Sequence, residues 1–151
     1  MKFHEVYTDP DYIESDGRHS IVQVSDKGST CKWKGLNPAK KKVIKYRVDG
    51  GIIPSKAEPK CDYAVCVEGD GIYLIELKGA NYNHALEQID ATIDKLIITP
   101  KVETTSVHGR IVLTRGRVPG IKYSKEPSLV KKLMKLNGYL DSRTRILEEK
   151  I

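Results

Sequence analysis

The stretch Cys61-Asp62-Tyr63-Ala64-Val65-Cys66-Val67-Glu68-Gly69-Asp70-Gly71-Ile72-Tyr73-Leu74-Ile75-Glu76-Leu77-Lys78-Gly79 decides how the rest of the chain is read. On both sides of Gly69-Asp70-Gly71 the residues are mostly β-branched, aromatic or aliphatic. This predicts two strands, over 62–67 and 72–78, and a hairpin turn whose glycines accept positive φ. Strand side chains alternate, so Ile72, Leu74, Glu76 and Lys78 share one face while Tyr73, Ile75 and Leu77 share the other. Both faces are mostly apolar, as in a central strand covered on two sides. An ionised group there is costly unless it is paired or bound to metal, so Glu76 and Lys78 need a reason to be present.

Asp62 opens the first strand, and antiparallel pairing returns it to the end of the second. Register decides whether the carboxylates meet. A four-residue loop over 68–71 sets Asp62 opposite Leu77, on the wrong face, whereas a three- or five-residue loop or a bulge sets it beside Glu76. In that register two carboxylates and an ammonium converge at the end of a hairpin. Two hard oxygen ligands with room for water suit Mg²⁺, with Mn²⁺ as a substitute, because Mg²⁺ is typically held by one or two carboxylates plus substrate phosphate.

Asp62, thirteen intervening residues and then Glu76-Leu77-Lys78 resembles the catalytic signature of the PD-(D/E)XK nuclease superfamily, whose fold is restriction-endonuclease-like. Cys61 stands where the family name has proline. The resemblance implies an α/β fold, a mixed sheet flanked by helices, with a nuclease-like core over about 43–114. It implies that Asp62, Glu76 and the backbone carbonyl of Leu77 hold Mg²⁺. Lys78 would orient or deprotonate the attacking water, and Gln88 on the following helix would reach the site or the substrate. A helix ahead of the first core strand often lends an acid in this family, and Glu5, Asp11 and Glu14 are the candidates. The expected activity is metal-dependent endonucleolytic hydrolysis of phosphodiester bonds, with DNA preferred to RNA and a homodimer where both strands are cut. An RNA- or tRNA-cleaving nuclease toxin of the same fold, or a non-catalytic nucleic-acid-binding relative, is the alternative.

At 151 residues, with 39% hydrophobic and 30% charged residues, the chain is expected to form a single domain over 1–151 with its own core. The net charge of +6 permits a polyanionic partner. Cys31, Cys61 and Cys66 are odd in number and lack C-x-x-C spacing, and the last two are expected to point to opposite faces. A reduced, cytoplasmic setting is therefore expected. The four histidines, His4, His19, His84 and His108, are scattered, which disfavours zinc. The N-terminal residues lack an apolar signal region, and no run approaches membrane-spanning length.

Elsewhere the patterns predict a weak helix somewhere over 5–14, interrupted at Pro10, and a short strand over 21–24. A polar, basic connection over 31–42 carries Trp33 and Lys40-Lys41-Lys42. A confident strand covers 43–49, where Asp49 either opens the Asp-Gly-Gly turn or sits near the metal. Leu86, Ile89, Ile93 and Leu96 form one stripe of a helix over 84–97, with Asn83 as N-cap. A buried strand follows over 110–114. Arg115 and Arg117 flank a glycine and could bind phosphate. An amphipathic helix over 128–137 is capped by Ser128 and stopped by Gly138. The last residues, 143–151, add an edge strand or fray.

Overall fold

The computed structural model describes residues 1–28, 30–77, 81–116 and 123–151. Lys78 and Arg117, both singled out by sequence, lie outside the described residues. The chain is α/β, and its described residues include nine strands in two sheets. A short helix α1 (Phe3–Val6) is followed by β1 (Ile13–Gly17), β2 (Ile21–Ser25), β3 (Lys32–Leu36), β4 (Val43–Arg47), β5 (Tyr63–Val67) and β6 (Gly71–Leu77). Then come α2 (Tyr82–Ile93), which widens into a π-helical turn (Asp94–Ile98), β7 (Ser106–Leu113), α3 (Glu126–Lys135), β8 (Leu140–Thr144) and β9 (Ile146–Lys150).

The large sheet has the order β1-β4-β5-β6-β7-β8, and the small one β2-β3-β9. From β1 to β6 neighbouring strands are antiparallel, whereas β6, β7 and β8 run parallel. Parallel neighbours need a crossover. Helix α2 supplies it between β6 and β7, and α3 between β7 and β8. Both helices cover the same face of the large sheet, where Leu86, Ile89, Ile93, Leu129 and Leu133 bury against Ile72, Leu74, Val107 and Ile111. The other face meets the small sheet, with Val22, Val24, Trp33 and Leu147 packed on Val65, Ile75, Leu77 and Val112. Strands β5 and β6 are thus covered on both sides, which is why they read as nearly continuous apolar runs.

Several elements depart from their predicted bounds, for identifiable reasons. The basic connection over 31–42 contains β3, whose lysines point out while Trp33 and Gly35 point into the core. A Cβ on Gly35 would lie 2.7 Å from the Trp33 ring and 2.9 Å from Ile151, so only glycine permits that packing. Helix α2 starts earlier than 84 because Tyr82 is buried, edge-on to Tyr123. Its cap is therefore Asn81, whose Oδ1 accepts the His84 N–H at 3.1 Å, and not Asn83. Helix α3 begins at Glu126, with Pro127 in its first turn and no side-chain cap from Ser128. It ends where Asn137 adopts φ 62°. Gly138 is needed there for space, since a Cβ would fall 1.7 Å from the Val107 carbonyl oxygen. The final residues form two strands rather than one edge. In place of a helix over 5–14 stand the single turn of α1 and the start of β1. All three cysteines are buried and unbonded to one another. Among the described residues no helix is long and apolar enough to cross a membrane.

An ion pair with a fully buried arginine ties the two sheets. Arg110 on β7, fully buried, donates from Nε and Nη2 to the Glu149 carboxylate of β9 at 2.7 and 3.0 Å. Its Nη1 donates to the carbonyls of Gly109 and Tyr139 at 2.9 and 2.7 Å, and Trp33 Nε1 donates to Glu149 at 2.8 Å. The Tyr139 ring lies 4.3 Å from the guanidinium carbon. Removing one partner of such a pair leaves a buried charge alone. Glu149→Ala is therefore expected to cost about 3 kcal/mol in urea unfolding, and the double change Arg110→Met with Glu149→Leu to recover most of it. Equal losses in both variants would show that the charges themselves hold the layers together.

Candidate active site

The β5–β6 turn is Glu68-Gly69-Asp70, three residues, with Gly69 at φ 94° and Asp70 at φ 69°. Cross-strand partners run from Val67↔Gly71 to Tyr63↔Ile75, so the next step sets Asp62 beside Glu76. Of the loops considered from sequence, this is the three-residue case. Asp62 is fastened on both sides. Its N–H donates to the Ile75 carbonyl at 3.1 Å, and its carbonyl accepts the N–H groups of Val48 and Asp49 at 2.9 and 3.3 Å. Its Oδ2 accepts the Leu77 N–H at 2.8 Å. The side chain thereby replaces a backbone acceptor at the point where the hairpin ladder ends.

Glu76 shares the helix-facing side of β6 with Ile72 and Leu74 and is only 7% exposed. Burial pushes its pKa far above the usual carboxylate range, and the adjacent Asp62 charge and a hydrogen bond to Asp62 push the same way. A hydrogen bond with the Gln88 side chain offsets part of this. Asp62 is also raised, chiefly by burial, against the opposing pull of the Leu77 N–H and Glu76. Two carboxylates this close in a dry site do not both ionise without a cation, so without one the pair retains a proton. Glu76 Oε1 is nevertheless buried with no hydrogen-bond partner.

Helix α2 holds the segment that enters β5. The Lys60 N–H donates to Gln88 Oε1 at 2.8 Å, and the Cys61 N–H donates to Thr92 Oγ1 at 2.8 Å. The Thr92 hydroxyl in turn donates to the Gln88 carbonyl at 2.7 Å. With its oxygen engaged by Lys60, Gln88 has its NH₂ group left for Glu76. Lys60 is itself buried, its side chain 7% exposed. Its Nζ donates to the Glu58 carbonyl at 3.0 Å and lies 3.7 Å from Asp49 Oδ1.

Asp62, Glu76 and Gln88, widely separated in sequence, are therefore gathered at one point. Asp49 takes the turn role of the two considered for it. It opens the turn at Gly50, φ 73°, and its charge acts on both carboxylates. The three N-terminal acids are engaged elsewhere. Glu5 accepts the Lys2 N–H at 2.8 Å, Asp11 lies on an exposed turn, and Glu14 sits on β1 near the Tyr63 hydroxyl. Besides Asp49, the charge of Asp26, just after β2, reaches Asp62. Lys60 and Thr92 were not singled out by sequence, since nothing local distinguishes them from a surface lysine and a helix threonine. Arg115 is exposed, and so is His84 in the first turn of α2.

Among the described residues no group of three or more His, Cys, Asp or Glu side chains is placed to hold a metal. The Asp62–Glu76 pair supplies two carboxylates, one with a spare buried oxygen. That donor set fits a hard dication that keeps much of its hydration shell. No protein-family model, curated protein or solved structure matches this chain.

A carboxyl group whose pKa is raised in the folded state stabilises the fold below the ordinary carboxylate range and loses that contribution as pH rises toward the folded value. In EDTA the Tm of the wild-type protein is therefore expected to fall, relative to that of Glu76→Gln, between about pH 5 and pH 8. Parallel Tm curves for the two proteins would contradict the shared-proton description.

Proposed function

We propose that the protein is a metal-dependent nuclease with a restriction-endonuclease-like core over about 43–114, hydrolysing phosphodiester bonds with DNA preferred. The observation that carries this reading is the side-by-side placement of Asp62 and Glu76, with Glu76 Oε1 buried and unpartnered. Native proteins rarely leave such an oxygen unsatisfied, and a cation removes both the orphan and the repulsion. The element order through this region, hairpin, helix, strand, agrees with the resemblance, and the net charge of +6 suits a polyanion.

Asp62, Glu76 and the Leu77 carbonyl would hold Mg²⁺ or Mn²⁺. When bound, the ion supplies a Lewis acid for the scissile phosphate and a lowered pKa for a coordinated water. The chain's own residues do the rest. The Leu77 N–H fixes the Asp62 carboxylate. Gln88, locked by Lys60, orients Glu76. The apolar cover of α2 keeps the pair desolvated, which strengthens its attraction for a cation. Lys78, the residue after the end of β6, is the proposed group that orients or deprotonates the attacking water and balances charge on the phosphate.

The test is incubation with plasmid, single-stranded DNA and total tRNA, with Mg²⁺ or Mn²⁺ against EDTA. DNA cleavage that needs metal is expected, lost by more than about a hundredfold in Asp62→Ala and Glu76→Ala. Nucleic-acid binding should be unchanged or tighter in both, since each removes a negative charge. Cleavage of tRNA alone would transfer the reading to an RNA-cutting enzyme. Binding without cleavage of any substrate would transfer it to a non-catalytic binding protein.

A further inference from the structure

We propose that Lys60 is a phosphate-binding residue of this site, contacting the backbone of the bound nucleic acid beside the carboxylate pair. The inference rests on the nuclease reading for the identity of the phosphate, and on Lys60 itself for the contact. Lysine is seldom buried unless its charge is compensated. The compensation of Lys60 is incomplete. Its ammonium has three donors. Among the described residues it makes one hydrogen bond, to the Glu58 carbonyl at 3.0 Å, while its carboxylate neighbour Asp49 stands at 3.7 Å, beyond hydrogen-bond distance. Donor capacity is left over in a dry place.

The main chain of Lys60 is rigid at the same time. Its N–H is held by Gln88, the next N–H by Thr92, and Asp62 follows two residues later, anchored to β4 and β6. Gln88 thus ties the Lys60 backbone and the Glu76 side chain into one assembly. Asp49 is 54% exposed against 7% for Lys60, so the pair runs from solvent inward and a phosphate would approach Lys60 from the Asp49 side. A phosphate entering there meets an ammonium with spare donors and displaces only a loose carboxylate contact. Lysine recognises phosphate as a point charge, and a buried point charge acts with little screening. Two carboxylates alone would repel a phosphodiester, and Lys60 offsets that repulsion before the metal is counted.

The experiment is a titration of ¹⁵N-labelled protein with inorganic phosphate in EDTA, followed by backbone amide shifts, for wild type, Lys60→Met, Lys60→Arg and Asp49→Asn. The same preparations are assayed for plasmid cleavage with Mg²⁺. Saturating shifts at Lys60, Cys61 and Gln88 are expected, about tenfold weaker affinity in Lys60→Met, partial retention in Lys60→Arg, and equal or tighter binding in Asp49→Asn. Unchanged affinity in Lys60→Met would overturn the assignment. So would wild-type shifts confined to surface lysines, or a loss in Asp49→Asn equal to that in Lys60→Met, the mark of a purely structural ion pair. If Lys60→Met does not fold, the wild-type shifts, Lys60→Arg and the comparison of Asp49→Asn with wild type decide, with weaker binding in Asp49→Asn than in wild type overturning the assignment. Phosphate bound at Lys60 with no nucleic acid cut would retire the nuclease reading alone. Cleavage with wild-type KM in Lys60→Met would retire Lys60 alone.

Discussion

Two carboxylates placed side by side in a dry site need either a proton or a cation between them, and this constraint organises the molecule. The three-residue turn at Glu68-Gly69-Asp70 sets the register that brings Asp62 to Glu76. A one-residue slip would turn Asp62 to the small-sheet side, among Ile75 and Leu77. The Leu77 N–H then holds Asp62 in place, and α2 packs over the face of β6 that carries the buried Glu76. Sheet register, helix crossover and desolvation each contribute to the same point.

The contrast between the two faces of the large sheet sharpens the reading. On the small-sheet side the buried Arg110 is bound by a carboxylate, two carbonyls and an aromatic ring, with Trp33 completing the carboxylate's contacts. That network is closed. On the helix side Glu76 Oε1 has no partner and Lys60 has donors to spare. Both networks are built from the same kinds of groups. On the proposed reading, Glu76 would receive a metal ion and Lys60 a phosphate.

Much of this was legible in local pattern. The hairpin showed in two apolar runs around a glycine turn, α2 in its apolar stripe, and the carboxylate pair in the misfit of Glu76 among Ile72 and Leu74. What pattern left open was non-local. The turn length could not be chosen from Gly69 and Gly71 alone, because each candidate loop uses the same residues. Strand β3 was hidden by lysines at its outward positions, and its inward residues, Trp33 and Gly35, gain meaning only against Ile151 at the other end of the chain. Lys60 reads as a loop lysine until α2 folds over it. The tie from Arg110 to Glu149 spans β7 and β9, with no local signal at either end.

Calorimetric titration of Mn²⁺ into the protein, in two buffers of different ionisation enthalpy, shows whether Asp62 and Glu76 take up one divalent cation in exchange for their shared proton. One ion bound per chain is expected, with release of about one proton near pH 7, and loss of that binding in both Asp62→Asn and Glu76→Gln. Binding that persists in either variant, or that releases no proton, would contradict that exchange.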